Sequence, residues 1–190
     1  QDAKEIGESL GYMCNSVSAA FTKVHDHDIS TCIKILTYED KRPYLITLIR
    51  DSKSTINGRK SGKGENTKHW LDENSDFYFI YSNYDNDSVD NSYYFKKLLP
   101  LRKDYRNTRL VNWPPKSRPG LDNLIRIATW PLKYRSTIVV PIVPLIADEQ
   151  QQKTIRGFLC VDSPRFFAFS KKVDIEILKG IADGLYKPID

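Results

Sequence analysis

The chain has 190 residues, 40% of them apolar and 12% aromatic, with a formal net charge of +5. That composition excludes an intrinsically disordered chain, and the length suits a single domain that can bury a core without staples. No run of about 18 apolar residues exists, which excludes a membrane-spanning helix, and no signal-peptide pattern opens the chain. The mild basic excess is compatible with an anionic ligand or partner and names neither. Cys14, Cys32 and Cys160 lie far apart with no C-x-x-C spacing, and Cys32 and Cys160 sit in apolar surroundings as small core residues. An odd number without a disulfide framework points to a reducing, cytoplasmic setting, for a free protein or for the soluble part of a membrane-anchored one. The sequence opens at Gln1 inside a helical pattern, as expected of a fragment whose N-terminus carries another domain or an anchor.

Ile6, Leu10, Met13, Val17, Ala20 and Val24 step alternately by four and three, a heptad seam that predicts a helix over residues 2–25. Gly7 and Gly11 each weaken it by roughly 1 kcal/mol relative to Ala, so packing along the seam must hold it. That packing is against its own domain or against a second chain. His25-Asp26-His27-Asp28 offers metal-ligand types, but no further ligand set is visible, and the stretch reads as a solvated turn with no metal. Residues 32–36 and 44–50 read as an antiparallel hairpin joined by a polar loop. Residues 51–68 contain one large apolar residue, Ile56, and read as an exposed loop carrying Lys53, Arg59, Lys60, Lys63 and Lys68. The G-R-K-S-G-K-G run at 58–64 lacks the spacing of a phosphate-binding P-loop.

The charge then reverses. Asp72, Glu73, Asp76, Asp85, Asp87 and Asp90 occur with no Lys or Arg between them, and residues 77–81 fit either a helix capped by Ser75 or a strand. Residues 92–118 are basic again, with eight Lys and Arg facing only Asp104 and interleaved with Tyr93, Tyr94, Phe95, Tyr105 and Trp113. Such a mixture can stack and neutralise single-stranded nucleic acid, or line a pocket for an anionic small molecule. Its plainer reading is an irregular cover over one sheet face, with half-buried rings and solvated cations. Leu121, Leu124, Ile125 and Ala128 suggest a short helix. Two dense apolar runs follow at 138–143 and 155–161, rich in Val and Ile and closed by Asp162-Ser163-Pro164, as strands buried on both faces would be. Phe166, Phe167 and Phe169 form a plug; Ser170 is a suitable N-cap, and Ile175, Leu178, Ala182, Leu185 and Ile189 give a final helix that ends at Pro188.

S-T-I-V-V-P-I at 136–142 and I-R-G-F-L-C-V-D-S at 155–163, then Phe169 and Asp174 ahead of an apolar helix, resemble the GAF domain, a sensory fold related to PAS. The close match is confined to that region; the rest agrees in element order. The resemblance implies an α+β domain with a central antiparallel sheet of about five or six strands. Terminal helices would pack together on one face and an irregular helical roof on the other. Residues 1–28 would be the N-terminal helix, 30–163 the sheet with its inserted roof, and 170–187 the C-terminal helix of one domain spanning 1–190. It also implies a pocket beneath residues 77–135, a homodimer through the terminal helices, and an effector domain outside this fragment. Gly157 allows close approach at a strand start, and Asp162 is read as holding the turn after it.

The function so implied is a regulatory module that binds a small, anion-type ligand and relays through its terminal helices. Tyr78, Tyr105, Arg106, Trp113, Trp130 and Arg135 are the candidate binding residues: rings to stack and cations for an anionic group. No cofactor follows, because the N-K-F-D-E motif of the cyclic-nucleotide subgroup is absent and no roof cysteine offers a bilin attachment. The free-methionine-sulfoxide reductase branch shares the strand ending in Asp-Ser-Pro but needs thiolates at the pocket. Residues 33–159 contain no cysteine, so no enzyme is expected. The alternatives are a ligand-free dimerisation and relay module, and a disfavoured nucleic-acid-binding module acting through residues 93–118.

Overall fold

The computed structural model describes residues 3–56, 58, 68–84, 92–110, 112–115, 120–143 and 155–189. Helix α1 (Ala3–His25) buries Leu10, Cys14, Val17, Ser18 and Phe21, whereas Ala20 and Val24 of the expected seam are exposed. A helix lying straight on a sheet keeps the 3.6-residue period, so its buried stripe drifts off heptad positions by the last turns. Strands β1 (Ser30–Glu39) and β2 (Arg42–Arg50) form the expected hairpin, longer than their apolar runs. Asp40 and Lys41 close it with φ of 49° and 67°, the mirror-type two-residue turn that suits twisted strands.

The stretch read as a loop after β2 opens with a short helix, α2 (Ser52–Ile56). Asp51 explains it: Oδ1 accepts the Ser54 N–H at 2.8 Å as a helix cap, while Oδ2 accepts the Thr31 N–H at 2.8 Å and ties the cap to β1. Lys53 pairs with Asp28 and Lys68 with Glu39; Arg59, Lys60 and Lys63 lie outside the described residues, as does all of the glycine-rich run except Gly58. Strand β3 (His69–Trp70) and helix α3 (Ser75–Asn83) follow, so residues 77–81 are helical. Asn74, not Ser75, occupies the cap position with extended backbone, and the Ser75 hydroxyl instead bonds the Arg106 backbone.

Strand β4 (Tyr94–Lys96), helix α4 (Asp122–Ala128), strands β5 (Ser136–Ile142) and β6 (Gly157–Ser163) and helix α5 (Asp174–Ile189) complete the order. The six strands make one antiparallel sheet in the order β3-β2-β1-β6-β5-β4. β5 and β6 are buried at every position, as their unbroken apolar runs predict. Side chains alternate between two cores. Ile33, Ile138, Val140, Ile142, Leu159 and Val161 meet α1 and α5. Leu45, Val139 and Phe158 meet the roof through Phe77, Ile80, Leu99, Tyr105 and Trp130. The expected α+β architecture, with helices on one face and a roof on the other, is thus observed.

Two details fix the geometry. At Gly157 a Cβ would lie 2.3 Å from the Lys34 carbonyl oxygen, so β6 can approach β1 only with glycine there. In the roof, α4 exposes Leu121 and Leu124, which the sequence pattern places inside, and buries Arg126 instead. Its guanidinium donates to the carbonyls of Pro100 and Arg102, both at 2.8 Å, and lies 4.3 Å from the Trp113 ring centre. A planar cation with fixed donors staples an irregular segment that has few ladder bonds of its own. No described helix is long and apolar enough to cross a membrane.

Candidate functional site

Strand parity builds the floor of the site. Cys32 and Lys34 on β1, Thr137 and Val139 on β5, and Cys160 and Asp162 on β6 are each two residues apart and project towards the roof. Arg50, opposite Cys32 at the end of β2, joins them. From above come His69, Asn74, Asp76 and Phe77 around the start of α3, then Asn107, Arg109 and Tyr134 from the irregular roof. Together they enclose a polar cavity of about 40 Å³. At roughly 10–15 Å³ per water, that is room for about three waters or one small polyatomic ion.

The walls are charged. Lys34 Nζ and Arg50 donate to the same hydroxyl, Thr47 Oγ1, at 2.7 and 3.2 Å, which holds both cations on the floor. Asp162 Oδ1 accepts from Thr137 Oγ1 at 2.8 Å. Asp76 accepts the Phe77 N–H at 3.1 Å and the Tyr105 hydroxyl at 3.2 Å; burial nevertheless pushes its carboxyl up to about 7. Tyr105 continues to Tyr134 at 3.2 Å, and Asn107 donates to the Tyr134 oxygen at 3.3 Å, so the roof side of the cavity carries one polar network. Cys32 and Cys160 are cross-strand partners. The hydrogen bond from Cys160, with Arg50 and Lys34 nearby, holds the Cys32 thiol below its usual range despite its burial. Burial, and sharing its proton with Cys32, push the Cys160 thiol up.

The six residues expected from sequence lie elsewhere in the roof. Tyr105 is buried and reaches the cavity through Asp76. Trp130 is buried beside it, donates to the Tyr134 carbonyl at 2.6 Å, and meets Trp113 edge-on at 4.9 Å. Arg106 and Trp113 line an outer groove with Tyr105 and Arg126. Tyr78 lies in a second groove, between α3 and β4. Arg135 packs 5.2 Å from the Phe166 ring centre. The cavity lining is a different set of residues.

Three readings need correction. The cysteine-free window 33–159 does not keep thiols from the cavity: Cys32 and Cys160, core residues as expected, bound that window, face each other and line the cavity. Asp162 faces the cavity and bonds Thr137, while the turn after it is closed by Ser136 on the Arg165 carbonyl and by the Arg165 N–H on Ser163. The alternation Cys32-x-Lys34 and Cys160-x-Asp162 is the signal that marks these positions, masked in β6 by apolar residues on both faces. The third correction concerns enzyme character, and rests on the solved structures below.

No family profile matches the chain, and no curated protein matches it in sequence. Solved structures do match. The GAF domain of an Acinetobacter phosphoenolpyruvate-protein phosphotransferase superposes with a TM-score of 0.58 at 13% identity, over 97% of this chain and 81% of that one. A far-red cyanobacteriochrome photoreceptor does so with a TM-score of 0.51 at 11% identity, over 93% and 84%. The type II free methionine-R-sulfoxide reductase of Thermoplasma acidophilum gives a TM-score of 0.53 at 15% identity, over 97% and 94%. The chain has a GAF-like fold. The expectation that it is no enzyme is overturned: an enzyme shares the fold over nearly the whole chain, and the thiols held to be missing are present at the cavity.

Proposed function

We propose that this is a regulatory ligand-binding domain whose ligand is a small anion held between sheet and roof. The observation that carries the reading is the convergence of Lys34, Arg50 and Arg109 on one small polar pocket, beside a carboxyl, Asp76, that burial keeps protonated up to about neutral pH. Cations that hydrogen-bond and exclude bulk water make a strong anion site in a low dielectric. The small volume favours an inorganic oxoanion or a short carboxylate over a nucleotide. Occupancy would be relayed by β1 and β6, whose opposite faces pack on α1 and α5. Tyr12, Val24 and Ile177 leave apolar surface exposed on those helices, which suits a second copy of the chain as partner. A thermal-shift panel of formate, acetate, nitrate, sulfate and phosphate tests the reading. At least one should raise Tm by several degrees, and the shift should vanish in Arg50→Ala. No shift with any of them would leave the reading without support.

The two cavity thiols favour a second reading, thiol-dependent reduction of a free sulfoxide, the activity named for the Thermoplasma protein. Two thiols would become a disulfide, the sulfoxide sulfur a sulfide, and its oxygen water. A substrate of that size exceeds the cavity, so the roof would have to lift. Turnover of free methionine sulfoxide with dithiothreitol tests it, and its absence sinks it.

A further inference from the structure

We propose that Cys32 and Cys160 form an oxidation site selective for a peroxide, with a cross-strand Cys32–Cys160 disulfide as its product. The pairing comes first. The two residues are direct partners in the β1–β6 ladder and line the same cavity. Directly opposed residues in antiparallel strands have Cα atoms about 4.5–5.5 Å apart. A disulfide accepts about 4.4–6.8 Å, so bond formation requires side-chain rotation and little backbone movement.

Access comes second. Each cysteine is 3% exposed, and the route to both is the cavity of about 40 Å³. A peroxide, two heavy atoms long, is close to water in size and fits that space. Glutathione disulfide and aromatic disulfides do not. Cys14, also fully buried, lies on the opposite side of the sheet in the helix-facing core, where burial pushes its thiol up.

The chemistry comes third. Arg50 and Lys34 stabilise a thiolate at Cys32, and a thiolate is the nucleophile. Its sulfur attacks one peroxide oxygen, the O–O bond breaks, and the departing oxygen takes a proton from Asp76, which lines the same cavity, to leave as water. Cys32 is then a sulfenic acid. Cys160 yields its proton, its sulfur attacks Cys32 Sγ, the S–O bond breaks, and the second oxygen leaves as water. Two thiols lose two electrons and one peroxide becomes two waters. The step requires neither the anion nor the sulfoxide reading. Asp76, left as a carboxylate, regains its proton from solvent, so the net change is loss of the thiolate charge beside Arg50 and Lys34, which would alter how the cavity receives an anion.

The test treats the folded, fully reduced protein with hydrogen peroxide, denatures it with iodoacetamide, and maps thiols by mass spectrometry. Two of three thiols should disappear together into one linked peptide pair containing Cys32 and Cys160, with Cys14 alkylated. Glutathione disulfide at the same concentration should leave all three thiols until the protein is unfolded. Cys160→Ser denatured in dimedone should carry the label on Cys32, and Cys14→Ser should behave as wild type. Should Cys160→Ser fail to fold, the wild-type and Cys14→Ser maps decide. Three intact thiols after peroxide, a crosslink involving Cys14, or equally fast modification by glutathione disulfide would overturn the proposal. So would a disulfide formed by methionine sulfoxide but not by peroxide, which would support the reductase reading alone.

Discussion

His25, in the last turn of α1, meets Asp174, in the first turn of α5, with Nε2 and Oδ2 3.0 Å apart and both side chains largely buried. The same Asp174 oxygen accepts the Ser170 N–H at 2.7 Å, and the His25 ring sits 5.8 Å from both Phe21 and Phe169. The terminal helices are therefore clamped at a polar point as well as along their apolar seam. The His25–Asp174 approach is a close ion-pair contact without hydrogen-bond alignment, while the Ser170 N–H bond to the carboxylate contributes about 1.5–3 kcal/mol. Asp174→Ala should cost about 2–4 kcal/mol in urea unfolding, and Asp174→Asn less, because its amide oxygen can still receive Ser170. A cost near zero for Asp174→Ala would remove the clamp from the account.

Gly157→Ala places a methyl group against the Lys34 backbone, which cannot swing aside as a side chain can. The β1–β6 ladder at the centre of the sheet must open locally. The expected loss is about 3 kcal/mol or more, visible as a large fall in Tm or as insoluble protein. A soluble variant within a few tenths of a kcal/mol of wild type would contradict the close approach.

Arg126→Ala should loosen the roof without unfolding the sheet. Losing the buried bond to the Pro100 carbonyl costs about 1–3 kcal/mol, and the Arg102 carbonyl keeps only the Tyr105 N–H as donor. Amide exchange should quicken around residues 99–105 and stay slow in β5 and β6. Arg126→Lys should not restore protection, since one ammonium cannot reproduce the fork or the stacking on Trp113.

Asp76 sets a pH dependence whose sign can be worked out. Its folded carboxyl titrates near 7, above the ordinary value of about 4 expected in the unfolded chain. Between those limits the folded state binds more protons, so the contribution of Asp76 to stability is fully present below about pH 4 and is lost as pH rises through about 7. Asp76→Asn should flatten this part of the Tm–pH profile and exceed wild type in Tm at about pH 8. Parallel profiles for the two proteins would mean that Asp76 is ionised throughout.

The fold was legible because β5 and β6 announce themselves: unbroken Val- and Ile-rich runs closed by turn residues have few other structural outcomes. The site was not. Its floor depends on which of two buried faces each residue takes, and within 155–163 both faces look apolar. Cys32 and Cys160 are distant in sequence and meet only through the β1–β6 register, which no local pattern encodes. In the roof, Tyr78, Arg106 and Arg135 carry the chemistry of a binding site, and the first two line outer grooves while Arg135 packs on Phe166, all apart from the cavity over the sheet. Arg126, a cation on a short amphipathic helix, gave no sign that its burial, not its neighbours' apolarity, anchors α4.

The sheet order also has a consequence for how the chain is made. β1 and β6, from opposite ends of the sequence, lie side by side at the centre of the sheet. Long-range pairing of this kind is slow because a large loop must close first. A nascent chain can complete the β1–β2 hairpin early, yet until Gly157 and the residues after it emerge, β1 keeps an open edge on the side that β6 will occupy. During synthesis that unpaired edge is open to mispairing until β6 arrives to cover it.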